Sequence, residues 1–285
     1  MATCETSSIG VVKSNGDFHV NSSALRGNGT VFDGSLLETA AARSVVQLSN
    51  GTRVTLTPES RAKLFRDRTI LEKGSSEVRN AGKYEVRALG LTMAAESKGT
   101  TMQIAMNQPR RVSVSAFGGA VEVRNAGGML VAHVMPETSL EFDPQAGAST
   151  ASNLTGCLEA ASGKYFLTDE TTNLKVEVQG NGVEKAVGSR VKLIGSTIPG
   201  EVPANGASQL VSATDISKLG ACKKKIAAGA AAGGAGAGGA AGAGAGGLSA
   251  GAIAAVIGGV SVAGVVVGTK AAGVWGGNAD SASPK

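Results

Sequence analysis

The chain has 285 residues, a formal net charge of +5 and 42 glycines, but only six Phe, two Tyr and one Trp. So few aromatic side chains argue against one large enzyme core and leave no stacking platform for single-stranded nucleic acid. The basic residues are spread along the chain rather than concentrated on one face, so we expect no nucleic-acid partner.

Residues 1–143 form the first predicted module, which is all-β. Apolar runs at residues 45–48 and 53–56 flank Asn50-Gly51, and Asn-Gly between two such runs is the strongest short hairpin signal. Asn15-Gly16 separates two further short strands. Since no stretch before residue 145 has a helical period, the sequence predicts strands coiled as stacked hairpins.

One hexapeptide, Glu-Val-Arg-Asn-Ala-Gly, occurs twice in this module, at residues 77–82 and 122–127. Each copy runs from a predicted strand into a turn and then towards another predicted strand. We interpret the two copies as equivalent β-turn-β units.

A second β-module is predicted over residues 153–222, after a linker of mostly small residues at 144–152. Its five short apolar strands suit a small OB-like barrel, and a sandwich-like roll fits nearly as well. Cys157 and Cys222 bracket the module. A disulfide could therefore close its ends in an oxidising compartment, or both thiols could be unpaired.

The last part of the chain is predicted to hold an arm, a membrane anchor and a tail. Residues 223–247 begin with three lysines and continue almost entirely as Gly and Ala, which cannot bury enough surface to fold. Residues 248–269 carry no charge and would extend roughly 33 Å as a helix, enough to cross a hydrocarbon core of ~30 Å. We therefore predict a transmembrane helix over 248–269 and a short polar tail over 270–285. A buried helix of a soluble protein is the alternative.

Small residues recur along this predicted helix at Gly251, Ala255, Gly259, Gly264 and Gly268. Such stripes let two helices approach closely, so we predict a homo-oligomer formed through the transmembrane helix. Because Gly and Ala are so common here, the stripes could also arise from composition alone.

The first module resembles a known family. Residues 27–35, the run Leu37-Glu38-Thr39-Ala40 and residues 46–56 resemble the FecR-like domain, and the resemblance covers roughly residues 10–140. Such domains are all-β and lie in the periplasm, in ferric-citrate-type regulators and in other envelope proteins. The resemblance therefore implies an all-β periplasmic domain.

The second module also has a resemblance. Residues 155–158, 167–173 and 187–195 look like the OB-like module that accompanies such domains in acidobacterial envelope proteins. Ferric-citrate-type regulators, however, carry an anti-sigma segment and a transmembrane helix before the FecR-like domain. Neither pattern is visible before residue 10, and no export signal is visible there, so signal transfer to a sigma factor is not implied.

No sequence pattern predicts a catalytic, cofactor or metal site. The two histidines, His19 and His133, have no Cys, Asp or His at ligand spacing. No Gly-x-Ser-x-Gly elbow presents a nucleophile. We therefore expect a protein that is not an enzyme and that binds no cofactor.

Two polar clusters have alternative interpretations. The run Arg66-Asp67-Arg68 could pair with an acidic partner, although such a run is more often a solvated turn. Asp169-Glu170 could bind a cation weakly, although such residues more often form a polar hairpin loop.

Together these expectations predict the function of the protein. We predict a non-catalytic, single-pass protein of the bacterial inner membrane, whose β-modules lie in the periplasm. Its partners would be the membrane and an envelope protein or polysaccharide. The alternative is a component of envelope signalling related to FecR-type sigma-factor regulation.

Overall fold

The computed structural model describes residues 7–144, 152–198, 200–222, 255–257 and 260–265. Within these residues the protein is almost entirely β, with 21 strands joined in one hydrogen-bonded sheet and a single 3-10 turn at Glu184–Ala186. The predicted mainly-β class is confirmed.

The first module contains fourteen strands. They are β1 (Ser8–Val20), β2 (Ser23–Phe32), β3 (Ser35–Thr39), β4 (Ser44–Leu48), β5 (Arg53–Leu56), β6 (Arg61–Leu64), β7 (Arg68–Arg79), β8 (Glu85–Ala88), β9 (Leu91–Ala95), β10 (Thr101–Gln108), β11 (Arg111–Phe117), β12 (Val121–Arg124), β13 (Leu130–Val134) and β14 (Thr138–Pro144).

Two long strands, β1 and β7, each belong to two runs of neighbouring strands. One run has the order β2-β1-β4-β5-β7-β10-β11-β14, and the other has the order β1-β3-β6-β7-β8-β9-β12-β13. Because both runs share β1 and β7, six strands close into a barrel with the order β1-β4-β5-β7-β6-β3. Alternate side chains of these strands point inwards and are buried, including Val12, Phe18, Leu37, Val46, Val54 and Leu64.

The hairpin predicted at Asn50-Gly51 is present between β4 and β5. Its turn has a three-residue loop, since the Leu48 N–H donates to the Thr52 carbonyl at 2.9 Å. Gly51 takes the left-handed conformation there, with φ +88°, as the last residue of such a loop commonly does.

The two copies of the repeated hexapeptide are equivalent as strands but not as turns. Val78 and Val123 are both fully buried, and both copies end a strand. After the first copy the chain crosses to β8, which runs parallel to β7. After the second copy it turns back directly into the antiparallel strand β13. The prediction of two equivalent β-turn-β units is therefore wrong, because the neighbouring strands decide where each turn leads.

The second module is a closed five-stranded barrel. Its strands are β15 (Ser152–Ala161), β16 (Lys164–Asp169), β17 (Lys175–Gln179), β18 (Ser189–Thr197) and β19 (Leu210–Ala221). They pair in the order β15-β16-β17-β19-β18 and back to β15, and the β17–β19 pair is parallel. This closed ring favours the predicted OB-like barrel over the sandwich-like roll.

The C-terminal apolar segment differs from its prediction. Where the sequence predicts a helix over 248–269, the described residues form β20 (Ala255–Ile257) and β21 (Val260–Val265). Strand β21 pairs with β14 over six residues, and β20 pairs with β15 at Asn153. The edge of β14 supplies backbone hydrogen-bond partners and apolar neighbours, and β-branched valines suit a strand.

Among the described residues, no helix is both long enough and apolar enough to cross a membrane. The rest of the 248–269 segment, the linker at 145–151 and the arm at 223–247 lie outside the described residues. The membrane anchor therefore stays a prediction.

Candidate functional site

The two predicted cysteines are joined in the structure. Cys157 on β15 and Cys222, directly after β19, form a disulfide with Cα atoms 5.6 Å apart. The bond spans 65 positions of the sequence and ties the first strand of the barrel to the end of its last strand. It therefore closes the ends of the second module, one of the two arrangements that the sequence left open.

The predicted helix-packing residues do not form a helical stripe within the described residues. Ala255 lies on β20 opposite Val262, and Gly264 lies on β21 opposite Leu140. Gly251, Gly259 and Gly268 lie outside the described residues. Ala255 and Gly264 are thus placed in strand pairing rather than in contact between helices.

A concave surface lies where four connections of the first module meet. We call it the loop groove. It encloses about 620 Å³, which is within the usual range for ligand sites, and is lined by residues 50–52, 66–67, 80–84 and 98–99. These residues come from the β4–β5, β6–β7, β7–β8 and β9–β10 connections, and such connections commonly carry function in β-modules.

Hydrogen bonds between the connections hold the groove together. The Asn50 side-chain amide donates to the Arg66 carbonyl at 3.1 Å, which joins the β4–β5 turn to the β6–β7 turn. The Arg66 N–H in turn donates to the Asp33 carboxylate at 2.7 Å. Two of the four lining connections are therefore joined directly, by a hydrogen bond between residues that lie 16 positions apart in the sequence.

Tyr84 forms the floor of the groove. Its hydroxyl lies 2.9 Å from the Thr69 hydroxyl and donates to the Phe65 carbonyl at 3.2 Å. Tyr84 is buried, and burial raises the pKa of its phenol well above the ordinary value although the Thr69 hydrogen bond lowers it. The phenol is therefore a neutral structural group that ties β7 to the turn beside Arg66.

The groove has an excess of positive charge. Arg66, Lys83 and Lys98 have exposed side chains along its walls, against the single carboxylate of Asp67. Asp67 is itself paired with Arg68, at 3.0 Å. Together with the amides of Asn50 and Asn80, these groups can bind anionic and hydroxyl-rich molecules.

A second cluster lies on the outer face of β9, β12 and β13. One nitrogen of His133 and one carboxylate oxygen each of Glu96 and Glu122 all lie within 4.8 Å of one another. His133 Nδ1 is hydrogen-bonded to the Glu96 carboxylate. The sequence predicts no metal site at His133, because both glutamates are brought to it by strand pairing and not by local spacing.

The cluster lies beside the contact between the two modules. The backbone N–H of His133 donates to the carbonyl of Thr172, at 2.8 Å, in the turn between β16 and β17. This bond joins β13 of the first module to the β16–β17 turn of the second module.

That barrel turn is organised by the buried side chain of Asp169. Its carboxylate accepts hydrogen bonds from the Thr155 N–H, the Thr171 N–H, and both the N–H and the hydroxyl of Thr172. Burial raises the pKa of Asp169, whereas the hydrogen bonds from Thr172 and Thr155 lower it, with a net rise. The carboxylate points into its own turn, which supports the hairpin-loop interpretation of Asp169-Glu170 over a cation site.

The chain matches no protein-family model, and no curated protein matches its sequence.

Proposed function

We propose that the protein is a non-catalytic envelope protein that binds an anionic polysaccharide in its loop groove. The observation that carries this proposal is the groove itself, which presents Arg66, Lys83 and Lys98 around an open volume of about 620 Å³. A polysaccharide of acidic sugars is complementary to such a surface. The basic side chains attract the sugar carboxylates, and the amides of Asn50 and Asn80 can bind the sugar hydroxyl groups.

The Cys157–Cys222 disulfide supports a location outside the cytoplasm. Disulfides persist in oxidising compartments such as the bacterial periplasm and are rare in the cytosol. The resemblance of the first module to periplasmic FecR-like domains supports the same location. Thiol alkylation of rapidly quenched cells tests it, because Cys157 and Cys222 should be protected from the reagent until a reductant is added.

Binding is tested with the full chain and two oligosaccharide probes, anionic alginate and neutral dextran. We expect saturable binding to alginate, no binding to dextran, and an affinity that falls as salt is raised, since exposed charges are screened. Replacing Arg66, Lys83 and Lys98 together by Ala should lower the alginate affinity about 10-fold or more.

The matched control removes three positive charges away from the groove, by replacing Lys13, Arg26 and Lys192 with Ala. All three side chains are exposed, so this variant has the same net charge as the groove variant. If both variants lose affinity equally, attraction is nonspecific and the groove is not the site. An absence of alginate binding by the unmodified chain would also overturn the proposal.

A further inference from the structure

The cluster of Glu96, Glu122 and His133 is assembled by strand register. Glu122 on β12 lies directly opposite His133 on β13 and opposite Ala94 on β9. Glu96 follows Ala94 by two residues, so it is on the same face of the sheet, and its N–H donates to the Ala120 carbonyl at 3.0 Å. Three neighbouring chain segments therefore each contribute one side chain to one place.

The donor atoms are those that transition metals prefer. An imidazole nitrogen with carboxylate oxygens is a common ligand set for Zn²⁺ and related divalent cations, and three protein ligands leave coordination positions for water or an outside ligand. We propose that Glu96, Glu122 and His133 bind one divalent transition-metal cation of the Zn²⁺ type on this face of the first module.

Neighbouring groups hold two of the three ligands in place. Arg124 Nη2 lies 2.6 Å from the Glu122 carboxylate and is two residues along the same strand. The Glu96 carboxylate is bonded to His133 Nδ1, so the imidazole already faces the carboxylates. Arg124 is an outer partner of the kind that orients a ligand and increases metal affinity. The bond between Glu96 and His133 joins two ligands, so it places them together and is replaced by the metal on binding.

The repeated hexapeptide supplies an internal comparison. Glu77 occupies the position in the first copy that Glu122 occupies in the second, and it has the corresponding partner in Arg79. Across the sheet, however, Glu77 faces Thr55 and Gln103, neither of which is a metal ligand of this type. The site therefore depends on the strands that lie beside the second copy, not on the hexapeptide.

Calorimetric titration of ZnCl₂ into the untagged, chelator-treated full chain tests the proposal. We expect one saturable site. Because even the loss of a group that only orients a ligand lowers metal affinity about 10–100-fold, His133→Gln and Glu122→Gln should each lower Zn²⁺ affinity by at least about 10-fold. Far-UV circular dichroism of each variant, matching that of the unmodified chain, shows that the fold is retained.

Two matched controls locate the site. Glu77→Gln changes the equivalent glutamate of the other hexapeptide, and His19→Gln changes the other histidine of the chain. Both should leave Zn²⁺ affinity unchanged. The proposal is overturned if the unmodified chain shows no saturable Zn²⁺ binding, if either control weakens binding as much as His133→Gln, or if Ca²⁺ binds as tightly as Zn²⁺.

A second measurement covers the case in which a cluster variant fails to fold. Co²⁺ bound to the unmodified chain should show visible absorption bands that an equimolar amount of Zn²⁺ removes. Absence of these bands, or their persistence after Zn²⁺ is added, would contradict the proposal without any substitution.

Discussion

Phe142 on β14 lies directly opposite Val262 on β21, and both side chains are fully inaccessible to solvent. The pairing continues on both sides, from Ser139 with Val265 to Pro144 with Val260. A segment from the end of the chain thus covers the edge strand of the first module. An uncovered edge would expose unpaired backbone groups and favour association with other chains.

The first prediction concerns this pairing. Val262→Asp places a charge at a fully buried position, so we expect β21 to leave β14 and the free energy of unfolding to fall by about 2 kcal/mol, the value of burying one Val. Hydrogen exchange at the amides of residues 139–143 should become faster.

Ala263→Asp is the control for this prediction, because Ala263 is the next residue on the same strand and its side chain is partly exposed. It should leave exchange at residues 139–143 nearly unchanged. If Val262→Asp also has no effect, β21 does not pair with β14 in solution, and the predicted membrane helix is the better account of the segment.

Local signals of the sequence predict the strands well. Short-range patterns account for the Asn50-Gly51 hairpin, for the five strands of the second module and for the lack of long helices within the described residues 7–144. Asn15-Gly16, in contrast, does not separate two strands. It lies in one continuous strand, β1, where the register with β2 shifts between Ser14 and Asp17. A bulge and a turn use the same residue types, so the sequence alone does not distinguish them.

The secondary structure of the C-terminal segment could not be predicted, because it depends on pairing with β14, which lies far away in the sequence. An uncharged run of Val, Ile, Ala and Gly meets the length requirement of a membrane helix, and the same residues meet the requirements of a buried hairpin. What distinguishes the two is the open edge of β14, which is set by the topology of the first module. Tertiary context overrides local preference in such cases.

The candidate sites depend on long-range contacts even more strongly. Glu96, Glu122 and His133 have no regular spacing, and only the β9–β12–β13 register places them together. In the loop groove, the sequence singles out Arg66, but Lys83 and Lys98 lie beside it only because the β7–β8 and β9–β10 connections meet the β6–β7 connection there.

The second prediction concerns the barrel disulfide. Replacing Cys157 and Cys222 together by Ser removes a cross-link across 65 positions. Chain entropy predicts a loss of about 4 kcal/mol in the free energy of unfolding, because the unfolded chain is no longer constrained. Urea denaturation followed by circular dichroism measures the loss. Cys4→Ser is the control and should unfold as the unmodified chain does, whereas equal stability of the double variant would show that the bond does not form.

The third prediction concerns the floor of the loop groove. Tyr84→Phe removes a hydroxyl that bonds to Thr69 and to the Phe65 carbonyl, and leaves the fully buried Thr69 without that partner. We expect a loss of about 1–3 kcal/mol in thermal or urea unfolding. Tyr165→Phe is the control because Tyr165 is only half-buried. An equal effect of the two substitutions would argue against the buried bond as the cause.

The fourth prediction concerns Glu177 in the barrel, whose side chain is only 2% exposed. The Ala204 N–H, at 2.7 Å, and the Lys164 ammonium, at 2.8 Å, lower the pKa of Glu177. Because the pKa is lower in the folded state, the ionised group stabilises the fold above its unfolded pKa, and this stability is lost as the pH falls through the folded pKa. Glu177→Gln should therefore cost about 1–2 kcal/mol at neutral pH.

The difference between the unmodified chain and Glu177→Gln should shrink as the pH is lowered through the acidic range, because the unmodified carboxylate then becomes neutral as well. Urea titrations at several pH values measure this change. Glu170→Gln provides the comparison, since Glu170 and Arg190 also form an ion pair at 2.7 Å, but their side chains are 46% and 39% exposed. Solvent screens such a pair, so its loss should leave stability nearly unchanged at every pH. A pH-independent effect of Glu177→Gln would show that lost packing, and not lost charge, explains its cost.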